Sequence, residues 1–583
     1  MGSSVLSATR GVFAVCRRST RTVAALAAAL TAAGFVVMLA AFAGPAAARH
    51  SPRTEHRSVS SASGATGSCA QSPPSLPALE ALAASGKGPH AISTRTESDP
   101  NDSTSSDQAP AASGATPAST ALNYTIAFYP RLFTFLQQSL GTSNCLSGPK
   151  GNSVSPLYGA VPAVNNDTLY ANFFLNFAEK GSLGVPQVLT IPPLPTAGGR
   201  TAHFSLLVLD VFDHVVTTTP DITKIEQPGH SYLLVPKGWH GTAPKGITAV
   251  ITVPYPVTIW EIRADKYVKN PQTGMPQNVI PLADKFRKSL RLTPLPTYLR
   301  HPLSGFTTLL PLSSFAPRAK AIADDLVTSH ATLFFRLLQV ALISPTTKPL
   351  SASDVALSSA FNRVFAAAEK ANRQGKRGPL KVLIHAAQAA HTRIIDNFES
   401  HVDQNQWVYF NNFAEWGDTP SEYLDRAGET EILQLSNNAT AAGYYSAFTD
   451  GGGVPLNGSS HAYQLTFSAG TCTTGCIPEA ARFWSLTAYL PRGVTLVPNA
   501  AKKYNVASYT PGLQSNPGGS ITLYIQAQPP AGHMANWLPV ARGPFLLILR
   551  TYGPTGNTTP PAPGNNNPDE AYIPPKIVAS SGT

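Results

Sequence analysis

The chain has 583 residues, 43% hydrophobic and only 13% charged, with 52 prolines and 44 glycines; so little charge and so much proline point to sheets and turns rather than helical bundles. The formal charge is +11, but Arg10, Arg17, Arg18 and Arg21 precede the first apolar run, and without them 39 basic side chains face 32 acidic ones, or +7. Spread thinly, with no Lys/Arg cluster, that excess excludes a nucleic-acid footprint.

Residues 1–48 read as an export segment. Arg17, Arg18 and Arg21 form a basic start, 23–43 is an uncharged and mostly apolar run, and Pro45-Ala46-Ala47-Ala48 supplies small residues for cleavage. The run approaches the ~20 residues that span a bilayer, so an uncleaved single-pass anchor is the competing reading; its alanine richness favours cleavage. No apolar residues directly follow Arg17-Arg18, which favours the general secretory route over the twin-arginine one, and Cys16 precedes the apolar run, so it is no lipoprotein cysteine. The expected location is secreted or cell-envelope associated, with membrane contact only through this segment if it is not cleaved. Residues 49–121 are dominated by Ser, Thr, Ala, Gly and Pro. Such a composition buries too little apolar surface to offset ordering entropy and predicts a disordered stalk.

A mainly β region follows, interrupted by helices. In 122–300, Tyr124, Phe128, Leu132, Phe135 and Leu136 recur at helical spacing and predict a helix over 123–140. Runs of β-branched and aromatic residues at 187–191, 203–212, 231–235, 248–253 and 257–263 predict strands. In 301–420 the stretches 318–342, 353–375 and 380–399 carry Ala, Leu and Phe at three- and four-residue spacing, with a Ser-Ala-Ser-Asp opening before Val355 and Gly375 and Gly378 as end caps. This helical block is expected to bridge a second β domain at 421–576, leaving 577–583 as a tail. Cys472 and Cys476 are four residues apart, and in an oxidising compartment the default is a small-loop disulfide rather than a metal site; nothing in the sequence positions Cys69 or Cys145.

Four ordered stretches resemble the domain of unknown function 1254: Val164-Asn165-Asn166-Asp167-Thr168-Leu169-Tyr170, the strand from Phe204 to Asp210, the segment from Tyr232 to Gly241, and Ile259-Trp260-Glu261-Ile262-Arg263. Tyr423-Leu424-Asp425-Arg426-Ala427, Asp450-Gly451-Gly452-Gly453, Phe483-Trp484-Ser485-Leu486-Thr487, Asn536-Trp537-Leu538-Pro539 and Leu549-Arg550-Thr551-Tyr552-Gly553-Pro554 are similar to the domain of unknown function 1214, which in this family follows 1254 on one chain. The resemblance implies a β-sandwich-like N-terminal domain, a jelly-roll-like C-terminal domain and no established activity. The Cys472 to Cys476 loop departs from it, standing where a shorter Pro-containing turn is expected.

Weak catalytic candidates are Asp167, set in an Asn-Asn-Asp-Thr turn, and Asp210, Asp213 and His214, where a carboxylate orients an imidazole as a general base. A packing role competes at each. Thr168 and Ser205 are nucleophiles only by chemistry, since no Gly-x-Ser-x-Gly elbow occurs. Ligand-binding candidates are Trp239 and Trp260 in the first half and Arg426, Trp484, Asn536, Trp537 and Arg550 in the second, aromatic platforms with amide and guanidinium donors suited to a polyhydroxylated or carboxylated ligand. Along a strand Trp260 and Ile262 face one side, Glu261 and Arg263 the other. No His-Glu-x-x-His, His-x-His, P-loop or Gly-x-Gly-x-x-Gly after a strand occurs, so neither metal nor nucleotide cofactor is expected. The composite reading is an uncharacterised exported protein that binds a glycan or other polar ligand at the cell envelope. An exported hydrolase with a site between the two β domains is the alternative, and a homo-oligomer is a further possibility.

Overall fold

The computed structural model describes residues 79–81, 83, 115–139, 144–178, 184–224, 228–315, 319–417 and 419–580; the export segment and most of the stalk lie outside them. Helix α1 (Pro117–Ser139) buries Tyr124, Phe128, Tyr129, Leu132, Phe133 and Leu136 on its apolar faces. It begins before residue 123 because Thr116 Oγ1 accepts the Ser119 N–H at 3.1 Å, an N-cap that satisfies one of the free amides of the first turn.

The first β half is two sheets. One has the order β9-β1-β2-β7-β4, from β1 (Ser147–Pro149), β2 (Thr168–Asn176), β4 (Phe204–Leu209), β7 (Val257–Asp265) and β9 (Thr308–Leu310). The other runs β8-β3-β5-β6, from β3 (Gln187–Ile191), β5 (His230–Pro236), β6 (Ala249–Val253) and β8 (Arg291–Pro294). Period-two alternation sends Leu169, Phe173, Leu206, Trp260 and Ile262 inward against Leu189, Leu234 and Ile251 of the facing sheet, in one core. Helix α2 (Ile280–Ser289) closes this core with Phe286, and α3 (Leu295–Arg300) follows β8.

Five helices then pack around α1: α4 (Ala319–Ser329), α5 (Ala331–Ile343), α6 (Ala352–Arg373), α7 (Gly378–Ser400) and α8 (Pro420–Ile432). The block read from the sequence as a bridge is therefore built on the helix that opens the first β domain, and its first stretch breaks at His330. Gly375, in the left-handed region at φ 83°, follows α6, whereas Gly378 starts α7 with Pro379 behind it. Thr419 and Glu422 form a capping box on α8.

The second β half pairs a sheet of order β10-β17-β12-β13, with β14 on β12, and one of order β16-β15-β11-β18. Their strands are β10 (Ala442–Ala447), β11 (Ala462–Phe467), β12 (Ala480–Leu490), β13 (Thr495–Leu496), β14 (Asn505–Ala507), β15 (Ile521–Gln526), β16 (Trp537–Pro539), β17 (Leu546–Pro554) and β18 (Ile577–Ser580). Tyr445, Leu465, Trp484, Leu486, Leu523 and Leu549 share the core between them. The segment from 577, expected to be a tail, is thus an edge strand: it pairs antiparallel with β11, and Ile577 is buried. Cys472 and Cys476 are disulfide-bonded, and Cys145 is also in a disulfide. Thr66–Thr583 is one compact unit, and among the described residues no helix is long and apolar enough to cross a membrane.

Candidate functional site

All nine residues of β7 are buried, because the sheet face opposite the first core is covered by the second half of the chain. The same alternation that turns Trp260 and Ile262 inward turns Glu261 and Arg263 out, beside Tyr170 of β2, which pairs with Arg263. In the second half, Trp484, Leu486 and Leu549 fill that core while Ser485, Tyr489, Arg550 and Tyr552 face the other way. The two polar faces meet in a seam.

The Asn165-Asn166-Asp167 turn stitches it. Asn165 Oδ1 accepts the Asp167 N–H at 3.0 Å and the Thr168 hydroxyl at 3.3 Å, an Asx turn that leaves the Asp167 carboxylate free to cross the seam. There Asp167 accepts from Ser485 Oγ at 2.8 Å, Asn505 Nδ2 at 2.7 Å and the Tyr509 hydroxyl, all from the second half. Lys266 donates to Asn166; burial lowers its ammonium to about 7, with Asp167 acting in the opposite direction. Asp265 pairs with Arg482, and Tyr267 stacks on Tyr509 at 4.2 Å.

Beside this stitch lies a cavity of about 30 Å³, lined by Ala163, Asn165, Tyr170, Glu261, Arg263, Gln434, Leu435, Ser436, Tyr444, Arg550 and Tyr552, among others. Three of these lie in the left-handed backbone region, Ala163 at φ 50°, Gln434 at 42° and Leu435 at 54°, a conformation that costs ordinary residues free energy and gathers at ligand clamps. The carbonyls there are put to use. Leu435 O accepts from Arg263 Nη2 at 3.0 Å, and Ala163 O from Arg550 Nη2 at 2.5 Å. Arg263 also reaches Asn437 Oδ1 at 3.1 Å and pairs with Glu261, while Arg550 Nη1 donates to Tyr489 at 2.8 Å.

The Tyr552 hydroxyl accepts from Asn165 Nδ2 at 2.6 Å, and that of Tyr444 from the Asn437 backbone and amide at 3.0 and 2.7 Å. Burial holds the Tyr170 and Tyr552 phenols well above their ordinary value, so both remain O–H donors. It also pushes Glu261 up, partly offset by Arg263. Among the described residues, the buried Arg263 Nε has no hydrogen-bond partner, whereas Ser436 turns to Glu429, whose carboxylate accepts its N–H at 3.2 Å and its hydroxyl.

Asp210, Asp213 and His214 lie elsewhere, against the helical layer. Asp210 accepts from the Phe212 and His214 amides at 2.7 and 3.2 Å and from Lys348 Nζ at 2.5 Å, with His214 Nδ1 3.3 Å away. Burial pushes its carboxyl up, but His214 and Lys348 outweigh that and hold it well below the carboxylate range. The imidazole is oriented, yet no hydroxyl bonds to it among the described residues, and Thr168 bonds to Asn165 instead. Asp213, at φ 65°, accepts from Thr430, and burial followed by Glu429 raises its carboxyl. Arg426 donates to Ala127 O at 2.6 Å and lies over Tyr423 and Phe212.

The tryptophans do not converge. Trp260 is fully buried and stacks on Phe173; Trp239 packs beside Tyr298 on the outer face of the other sheet; Trp484 meets Phe467 in the second core. Trp537 donates to Gln526 O, and Asn536 bonds to the backbone of Gln514 and Thr522. Of the ligand candidates, Arg550 alone lines the seam cavity. A larger cleft of about 410 Å³ borders Lys269, Glu479, Phe483, Trp484 and Ser508, but both aromatic rings are nearly covered, leaving little surface for stacking.

Two features escape sequence spacing. Tyr444, Leu435 and Ser436 reach the cavity only through the fold. In the helical layer, ligand-type atoms of Asp324, His391 and Glu431 lie within 4.8 Å of one another. Lys320 Nζ sits among them, 3.0 Å from Asp324 and hydrogen-bonded to Glu431, and Tyr129 donates to Glu431 at 2.6 Å. An ammonium holds the position a metal would take.

No curated protein matches the chain. Among solved structures, the VPA0106 protein from Vibrio parahaemolyticus is 16% identical, with a TM-score of 0.45, over 80% of this chain and 100% of that one. An uncharacterised protein from Burkholderia cenocepacia is 10% identical, with a TM-score of 0.34, over 79% of this chain and 88% of that one. Residues 150–294 match the family described as protein of unknown function DUF1254, and 441–556 match protein of unknown function DUF1214. The chain is therefore a two-domain DUF1254–DUF1214 protein, whose two matched regions face each other across the seam.

Proposed function

We propose that this is an exported or envelope-associated protein that binds a small polar ligand in the seam between its two β halves. The observation that carries the reading is convergence: the Asn-Asn-Asp-Thr-Leu-Tyr and Ile-Trp-Glu-Ile-Arg stretches of one half and the Leu-Arg-Thr-Tyr stretch of the other line one cavity, with a buried guanidinium N–H left unpartnered. Buried polar groups normally find partners, so an orphaned guanidinium N–H at a cavity calls for an occupant. Dispersal of the tryptophans favours a small ligand over a glycan stacked on aromatic platforms. The export reading draws on the basic and apolar N-terminal sequence, and the Cys472–Cys476 disulfide agrees with an oxidising compartment.

Thermal-shift screening of the full chain with sugars, sugar acids, amino acids and short organic acids tests the binding reading. A ligand at a hundred times its Kd adds about 2.7 kcal/mol to stability, and its effect is expected to shrink in Arg550→Lys. A library that leaves Tm unchanged, or hits undiminished by that substitution, would remove the seam from consideration.

A further inference from the structure

The hydrogen-bonding inventory of the seam cavity is lopsided. Arg263 Nε–H is a donor with no partner among the described residues. Tyr552 and Tyr444 each accept from an asparagine, and no acceptor for either phenol hydrogen appears among the described residues. Tyr170 lines the same space without a hydrogen bond to any described residue. Against these four donors the lining side chains offer one carboxylate, Glu261, whose Oε1 already accepts from Asn172 and whose Oε2 faces Arg263. A guanidinium accepts nothing, so neither arginine can take up the phenol hydrogens.

Charge points the same way. Arg263 and Arg550 outnumber Glu261, so the lining carries at least one positive charge in excess. A void of about 30 Å³ exceeds the ~10–15 Å³ that admits a single water. It suits a group of a few heavy atoms with several lone pairs.

We infer that the occupant is the carboxylate of a small organic acid, its two oxygens shared between Arg263 and the Tyr170 and Tyr552 hydroxyls. This rests on the seam being the ligand site, and it names the class of ligand. A carboxylate is acceptor-only and offers about four lone-pair directions, the complement of the surplus. A neutral amide brings its own N–H donors to a site already rich in them, and a sugar hydroxyl brings one donor for each oxygen.

Isothermal titration of the full chain with acetate and glycolate, against acetamide and glycerol, is the test. The carboxylates are expected to bind one per chain and the neutral probes at least tenfold more weakly, because hydrogen bonds to a charged group are stronger than those to a neutral one. Tyr552→Phe and Tyr170→Phe should each weaken acetate about tenfold. The Tyr170 hydroxyl has no hydrogen bond to a described residue, so its removal leaves the fold intact, and circular dichroism checks this. Acetamide binding as tightly as acetate would overturn the carboxylate assignment while leaving the seam as a ligand site. Acetate binding unchanged in both variants would place the carboxylate elsewhere, and no saturable carboxylate binding, with hits of another class in the thermal screen, would overturn the assignment alone.

Discussion

A carboxylate that accepts from three donors in a distant part of the chain, as Asp167 does from Ser485, Asn505 and Tyr509, is both a joint and a liability. Asp167→Asn keeps the shape but presents an N–H₂ to donors, and should cost about 3 kcal/mol in urea denaturation. Its role as a turn residue was half legible: the Asx geometry was foreseeable, but it is Asn165 that makes the turn. The facing of Glu261 and Arg263 away from Trp260 was legible in full, since alternation along a strand needs no tertiary information. Ser436 and Leu435 were not, because no local pattern tells a chain which distant strand will cover its loop.

The charged cluster of Lys320, Asp324, His391 and Glu431 gives a pH signature. Burial lowers His391, but Asp324 and Glu431 raise it further, from 6.5 to about 9. A base raised on folding contributes stability that is complete below its unfolded value and is lost as pH rises through the folded one. His391→Gln is therefore expected to cost about 2–3 kcal/mol near pH 6 and much less near pH 10. Taking the difference between variant and parent cancels Lys266, whose lowered value gives the opposite slope. Equal costs at both pH values would mean that His391 is not charged in the folded protein.

Among the elements, the strands from 187 to 263 were read close to their observed bounds, because β-branched and aromatic runs between prolines and glycines carry their own punctuation. Helix α8 was less readable, since its Tyr-Leu-Asp-Arg-Ala stretch resembles a family motif before it resembles a helix, although Thr419 and Glu422 supply the capping box. Its fit against α7 depends on Gly428, where an added Cβ would lie 3.0 Å from the Phe398 Cβ and 3.3 Å from Ile394 O. Gly428→Val forces these helices apart and should cost about 1–3 kcal/mol, measurable by thermal denaturation. A neutral effect would show that α7 and α8 separate freely.

For the whole molecule, two matched regions do not mean two independent folding units. The polar face of β12 and β17 is buried in part by Tyr158, Ala163, Val164 and Tyr170 of the other half, and α1 is the axis on which later helices pack. Calorimetry should therefore give a single cooperative transition for the folded region, whereas two resolved transitions would mean that the seam contributes little coupling. Sequence patterning marks which faces are polar. It does not mark that two such faces will be pressed together, because a face of Glu, Arg, Ser and Tyr ordinarily meets water.

The short strand at Ile577–Ser580 bears on how the protein is to be produced. It covers the outer edge of β11 by antiparallel pairing over Ala462–Leu465. An expression clone cut to the boundaries of the matched regions, ending at 556, would strip that cover and leave a row of unpaired amides and carbonyls next to an opened core. Exposed strand edges of this kind recruit other chains, so inclusion bodies are the expected yield of such a clone. A purification tag belongs beyond Ser580, on a spacer long enough to leave the pairing undisturbed.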